Sequence, residues 1–292
     1  MKQVFVTLYK YIRGPSRDFI YRETFNPWRS ALQFAIAHKI PTLNGDHVRE
    51  KYLQKKLEKF QPDIIFVAGF HRIIPNSIIG IPSKAIINLH PSLLPKYRGG
   101  TPIRWAKVQG EKISGVTAHL VTEKVDNGNI LMQKRISISP AETNEDIEIK
   151  MAKAASEMIV CIEKNIKVII KNQRKQPKLK SPYDPPLHGI YQNINWENSG
   201  ERIKRLVSAM KPKSGGICFY KNKRICIWEI DFFKRKVYKK PGRIIQCHPT
   251  EGISVQCGDG VIKIKSFLKN GKILPARDAL KKGFFNKKTI LN

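Results

Sequence analysis

Acidic side chains are scarce in this chain: 23 Asp and Glu stand against 54 Lys and Arg, a formal charge of +31 over 292 residues. Long apolar runs are missing too, and none approaches the roughly 20 residues needed to cross a bilayer. The opening Met-Lys-Gln-Val-Phe-Val-Thr has a short apolar stretch and no cleavage pattern, so no secretory leader is expected. The five cysteines, Cys161, Cys218, Cys226, Cys247 and Cys257, never form a C-x-x-C pair. No zinc framework is expected from them, and they read as reduced thiols of a cytoplasmic protein. Phosphate-cradling loops are likewise absent: there is no Gly-Lys-Ser/Thr, and Gly99-Gly100 is not a dinucleotide fingerprint.

What is present suits a globular chain with two modest cores. The hydrophobic fraction is 41%, and a prior of roughly 100 to 200 residues per domain favours two domains. The charge is uneven. Residues 1–150 hold 23 Lys/Arg against 13 Asp/Glu, and residues 201–292 hold 23 against 6, so the shorter C-terminal part carries the larger excess. Such a part attracts polyanions by counterion release, which makes RNA a candidate partner. A bias toward Lys, Ile and Asn would give the same charge on an ordinary solvated surface. The aromatic interleaving of a base-stacking platform is weak there.

The first half alternates strand-like and helix-like runs. Val4–Val6 reads as a strand, Trp28–Lys39 as a helix, and Asp46–Phe60 as a second helix with Leu53, Leu57 and Phe60 on one stripe. Ile64–Ala68 and Ala85–Leu89 are continuous apolar runs of the kind buried on both faces of a parallel sheet. The pattern predicts a doubly wound, mostly parallel α/β sheet, with ligands beyond the carboxyl ends of its strands. Val116–Val121 and Ile130–Ile138 are further strands. Thr143-Asn-Glu-Asp146 then offers a capping-box-like start to a long helix with Ile147, Met151, Ala154, Met158, Ile162 and Ile166 on its apolar stripe.

Domain limits follow. Residues 1–170 form the first domain, 171–187 a Lys/Pro-rich linker, and 188–292 a basic β domain. In the last part a helix at Ser199–Met210 precedes short strands at 216–220, 224–228, 252–256 and 261–265, which predict a small barrel-like β domain.

The chemistry concentrates at Asn88-Leu-His-Pro-Ser-Leu-Leu-Pro95. Side chains at i and i+2 of a strand share a face, so Asn88 and His90 point into one space, and the Pro-rich turn ends the strand. Val125-Asp126-Asn127-Gly128 puts a carboxylate on a turn between two strands. A carboxylate, an imidazole and an amide can orient a base, move a proton and hold an oxyanion. Asp126 is expected to favour the charged form of His90 and raise its pKa.

These residues carry a resemblance. The run from Asn88 through Lys96-Tyr-Arg-Gly-Gly-Thr-Pro-Ile103, then Gly115-Val-Thr-Ala-His119 and Val125-Asp-Asn-Gly128, resembles the formyltransferases that use 10-formyltetrahydrofolate. The match is good from about residue 39 to 135. In the C-terminal part, Ile194-Asn-Trp196 and Ile227-Trp228 resemble the second domain of methionyl-tRNA formyltransferase and sugar-modifying relatives.

The resemblance implies that Asn88, His90 and Asp126 are the catalytic trio, with no metal. It places the folate co-substrate against Arg72, Ile73, Ile74, Ser92, Leu93, Leu94, Pro95, Thr122 and Val125, and offers Tyr97, Arg98 and His119 to the acceptor. From the residues alone, His119 reads as packed or pocket-lining. Two acceptors are implied. Gly115–His119 and Thr101–Trp105 resemble the small-amine branch, which acts on a nucleotide-linked aminosugar. The basic C-terminal part and the Arg-rich Tyr9–Arg29 segment point to initiator methionyl-tRNA. A degenerate RNA-binding homologue is a further alternative. The sequence departs from the pattern in two places: one N-terminal βα unit is expected to be absent, and Gly99-Gly-Thr-Pro102 replaces the Gly-Ala-Ala-Pro of tRNA-acting relatives.

Overall fold

The computed structural model describes residues 3–7, 37–39, 51–70, 72–177, 183–236, 239–248, 252–281 and 290–291. The Tyr9–Arg29 segment, most of the Trp28–Lys39 helix, residues 46–50 of the second helix and the question of an absent βα unit lie outside them. In the first part the elements are β1 (Gln3–Thr7), α1 (Lys51–Phe60), β2 (Ile64–Ala68), α2 (Asn76–Ile79), β3 (Ala85–His90), α3 (Pro102–Gln109), β4 (Ile113–Leu120), β5 (Ile130–Ser137) and α4 (Asn144–Lys171). A 3-10 turn at Gly189–Gln192 leads to α5 (Gly200–Ala209), β6 (Gly216–Tyr220), β7 (Lys223–Lys234), β8 (Ile244–His248), β9 (Gly252–Cys257), β10 (Gly260–Lys269), β11 (Lys272–Pro275) and α6 (Ala276–Lys281). The chain divides into two compact units. One is Met1–Pro102, Ile113–Ser137 and Glu148–Pro185; the other is Ile103–Lys112, Ile138–Ile147 and Pro186–Asn292.

The first unit is of the α/β class. Its five strands run in the order β1-β2-β3-β4-β5, parallel from β1 to β3 and antiparallel from β3 to β5. Every residue from Ile64 to Val67 is buried, as a strand covered on both faces requires. Leu53 and Leu57 of α1 and Ile78 of α2 pack with Ile65, Val67 and Ile86, whereas Phe60, expected on the same stripe, is exposed. Ile86, Asn88 and His90 alternate onto that one face of β3. The apolar cover ends at Val67, the β2 partner of Asn88, so the face turns polar where β2 stops and β3 continues.

Helix α4 begins with the expected box. The Asp146 amide donates to Thr143 Oγ1 at 3.1 Å, and the Thr143 amide donates back to Asp146 Oδ2 at 2.9 Å. All members of its expected apolar stripe are buried. Asn165 leaves helical geometry at φ −124°, and its side-chain amide donates to the Cys161 carbonyl at 3.0 Å. Just past the helix, Arg174 forms a two-bond antiparallel bridge with Ile130 at 2.7 and 2.8 Å.

The second unit carries an antiparallel sheet in the order β6-β7-β10-β9-β8, with β11 on β10. Ile203, Leu206 and Val207 of α5 join Trp196, Ile227, Ile253, Val255, Ile262 and Ile264 in its core. Ser199 caps α5, accepting from the Arg202 amide. Strands β8 and β11, absent from the sequence expectation, have half-exposed and exposed residues throughout except Ile244, so no apolar alternation marks them. Among the described residues no helix is long and apolar enough to cross a membrane.

Candidate active site

Strand register assembles the site. In the β3–β4 pair Asn88 stands opposite His119 and His90 opposite Thr117, and in the β4–β5 pair Thr117 stands opposite Gln133. Register partners share a sheet face, so these side chains form one polar patch. Thr117 is its structural hub. Its hydroxyl donates to the Ser92 carbonyl at 2.6 Å and accepts from the Leu94 amide at 3.0 Å and from Gln133 Nε2 at 2.9 Å. Gln133 Nε2 also reaches the Leu94 carbonyl at 2.9 Å. The hydroxyl is fully satisfied, and the 92–95 turn is fixed on the sheet.

The Val125–Gly128 turn brings the carboxylate in. Asp126 is a non-glycine residue in the left-handed region at φ 49°. Gly128 is required because a Cβ would overlap the Leu120 carbonyl oxygen. Asp126 Oδ1 accepts from Asn88 Nδ2 at 3.2 Å and lies 3.5 Å from His119 Nε2. Oδ2 accepts from the Gly99 amide at 2.9 Å and lies 3.5 Å from His90 Nδ1. Gly99 makes that contact at φ 120°, with the Asp184 carbonyl where a Cβ would be. One carboxylate therefore serves two imidazoles, one side-chain amide and one backbone amide.

Both histidines are buried, at 4% and 2% exposure. Burial pushes the His90 pKa below its ordinary value of 6.5 and outweighs Asp126, which acts in the opposite sense. Asp126 does raise the His90 pKa, as expected, but desolvation of the charged ring is the larger effect and the net shift is downward. For Asp126 burial acts upward, yet the adjoining His119 and His90 rings and the Gly99 amide together hold its carboxyl below the ordinary range.

His90 Nε2 lies 2.9 Å from the Tyr97 carbonyl, and Tyr97 itself sits at φ 60°. Both ring nitrogens thus face oxygen acceptors. A neutral ring with one N–H satisfies only one of them, and a second proton would satisfy both. His119 Nδ1 lies 2.8 Å from the Leu120 carbonyl, an acceptor, which places the neutral ring's proton on Nδ1. Its Nε2 then accepts from Asn88 Nδ2 at 3.1 Å. Both Asn88 amide hydrogens are engaged, one with Asp126 and one with His119.

The structure therefore brings Asn88, His90 and Asp126 together and adds His119 as an equal partner. Arg98 goes elsewhere. It is buried, and its Nε and Nη2 donate to Gln176 Oε1 at 3.1 and 2.7 Å, so the reading of Arg98 as an acceptor contact is corrected. Tyr97 meets the cluster through its carbonyl. In the expected folate segment, Ser92 Oγ donates to the Lys96 carbonyl at 2.7 Å, and both backbone polar groups of Leu94 are held by Thr117 and Gln133. These two residues face inward. Arg72, Ile73, Thr122 and Val125 are exposed, whereas Ile74, Leu93 and Pro95 are half-buried. Gln176 was not legible as a site residue, because nothing local in Lys175-Gln-Pro177 marks it.

Comparison with known proteins agrees with this architecture. The family model "Formyl transferase" matches residues 28–162, and "Formyl transferase, C-terminal domain" matches residues 191–283. The methionyl-tRNA formyltransferase of Thermodesulfovibrio yellowstonii is 33% identical over 246 residues, 84% of this chain and 78% of that protein. Among solved structures, HypX from Aquifex aeolicus in complex with tetrahydrofolic acid has a TM-score of 0.60 at 17% identity. All of this chain is covered, but it spans half the length of HypX. An N-formyltransferase from Helicobacter canadensis, in complex with folinic acid and dTDP-3-aminofucose, has a TM-score of 0.58 at 21% identity, over 80% of this chain and 81% of that one.

Proposed function

The chain belongs to the formyl transferase family, and from that premise we propose that it transfers a formyl group from 10-formyltetrahydrofolate to the primary amine of a nucleotide-linked aminosugar. Formyl transfer is the family's reaction; the donor, the acceptor and the residue roles are the reading offered here. The observation that carries it is the cluster of half-buried Asn88 and buried His90 and His119 around the Asp126 carboxylate.

The acceptor nitrogen attacks the formyl carbon, a tetrahedral intermediate forms, and the bond from that carbon to the donor nitrogen breaks. The acceptor nitrogen must lose a proton and the leaving nitrogen must gain one. His90 suits this transfer because burial keeps it neutral and able to accept, while Asp126 balances the charge it gains. Its Nε2 is the nitrogen assigned to the amine, since Nδ1 faces Asp126. Asn88 serves the oxyanion, a contact worth about 10²- to 10³-fold in rate where such donors have been removed. To serve it, Asn88 exchanges one of its two present bonds, to His119 Nε2 or to Asp126 Oδ1, for the oxyanion.

A folate fits the chemistry of the cluster. The donor set is an amide, two imidazoles and a carboxylate, suited to acyl transfer, and Thr122 and Val125 are exposed close to Asp126 in the chain. The Gly115–His119 run, which resembles the small-amine branch, lies within β4, and its His119 stands in the cluster. That supports the aminosugar. A second reading, initiator methionyl-tRNA, is favoured by the Thermodesulfovibrio relative and the charge of residues 201–292. Against base stacking in the C-terminal unit, Lys211 and Lys221 lie over the Trp228 and Tyr220 rings at 5.2 and 5.5 Å from their centroids. Release of tetrahydrofolate from the donor, measured with nucleotide-aminosugars, with methionyl-tRNA and with no acceptor, decides the branch. Stimulation by methionyl-tRNA alone would overturn the aminosugar reading, and release independent of any amine would indicate a hydrolase.

A further inference from the structure

We propose that Gln176 is a positioning residue for this reaction: it clamps the main chain of the turn at Asp126 and Gly128 and so holds the carboxylate between His90 and His119. The proposal rests on the function proposed above. Gln176 is buried at 8% exposure, in the segment that leaves α4. Its Nε2 donates to the Asp126 carbonyl at 2.9 Å and to the Gly128 carbonyl at 2.7 Å. Its Oε1 accepts both bonds from Arg98. Every donor and acceptor of the amide is engaged, so the group has one orientation.

The Asp126 turn needs such a hold. Glu123, Lys124, Val125 and Asn127 are exposed, so apolar packing contributes little to fixing it. Asp126 lies in the left-handed region, a conformation that persists only where the surroundings impose it. The clamp is anchored at both ends. The Arg174–Ile130 bridge ties the segment before Gln176 to the start of β5, and the Arg98 carbonyl accepts from the Asp184 amide at 2.9 Å. Arg98 acts through Gln176 on the turn that carries the carboxylate. The charged and titratable groups facing Asp126 are His90, His119 and, through space, Arg98.

A purely structural role would be to satisfy the buried Arg98. Gln176→Glu separates the two possibilities, because a glutamate still accepts from Arg98 but cannot donate to the Asp126 and Gly128 carbonyls. In the full-length protein, turnover is measured per folded molecule with whichever acceptor responds in the panel, alongside NMR titration of the His90 imidazole without ligand. The expected result for Gln176→Glu is a fall in kcat of about 10²-fold, the scale of a misplacement near 1 Å, with the KM for 10-formyltetrahydrofolate little changed. The His90 midpoint should also move lower, since the carboxylate that raises it is displaced. Wild-type kcat and an unmoved midpoint would overturn the proposal. Should Gln176→Glu not fold, Gln176→Asn, neutral and too short to reach both carbonyls, gives the same two readouts. Asp126→Asn distinguishes the failures. If it stays active, the proposed chemistry is wrong. If it is inactive while Gln176→Glu is active, only the positioning role is wrong.

Discussion

The two units bury different chemistry. His90, Ser92, Arg98, Ser114, Thr117, His119 and Gln176 are buried polar residues of the first unit, whereas the second has Lys107, Gln256 and Ser266 around an apolar core. Burying a polar group costs free energy unless it is hydrogen-bonded. The first unit meets that condition with chains of bonds: Thr117 to Gln133 and Leu94, Arg98 to Gln176, and Gln176 to the Asp126 turn. Its cluster is therefore over-determined, and the polar interior coincides with the candidate chemistry. The second unit is held by aliphatic side chains on alternating strand positions, an arrangement that stabilises without creating reactivity.

Replacing His90 by Ala tests that contrast most severely. Turnover should fall by about 10²- to 10⁴-fold, the range of general acid–base catalysis, while circular dichroism stays that of the folded chain; unchanged turnover would remove His90 from the mechanism. The converse change is Ile262→Ala, at a fully buried site of the second core. It should cost about 2 to 5 kcal/mol in denaturant unfolding, with turnover per folded molecule preserved. A loss of turnover like that of His90→Ala would erase the distinction between the interiors.

Acid should act on the first unit in particular. Below pH 6.5, the ordinary His90 value, the unfolded chain takes up a proton that the folded ring resists. Stability is then lost as pH falls from 6.5 toward the lowered folded value, and is flat above it. Asp126 adds a later loss, because its depressed carboxyl contributes above 3.8 and ceases only as pH falls through its folded value. Turnover should show an acid limb in the same direction, since a protonated His90 cannot accept. Melting curves from about pH 8 to 5 should show the upper part of the loss flattened in His90→Gln; an equally steep loss would assign it to other groups. The smallest expected effect lies in the second unit. Burial pushes the Cys218 thiol up to about 12, so in the folded protein it should resist alkylation near neutral pH, while half-buried Cys161 reacts. Equal labelling of the two would mean that the second core opens readily.

Much of the fold was legible because it repeats locally. Ile64–Ala68, the α4 stripe and the Thr143–Asp146 box each state their structure within a few residues. Strands β8 and β11 were not legible, since they are held mainly by pairing to β9 and β10 and show no clear apolar alternation. The site divides in the same way. Asn88 and His90 share a face by their spacing alone, and Asp126 stands on a turn that its own residues announce. His119 joined them only through the β3–β4 register, and Arg98, which the resemblance offered to the acceptor, turned inward to Gln176.

The sequence by itself determined the strands, the capped helix, the charge asymmetry and the amide–imidazole–carboxylate set, because each depends on neighbours along the chain. Tertiary structure decided that one carboxylate is shared by two histidines, that burial outweighs the upward pull of Asp126 on the His90 pKa, and that Gln176 reaches the Asp126 turn. Those outcomes depend on register and desolvation, which arise only when segments distant in the chain exclude water together.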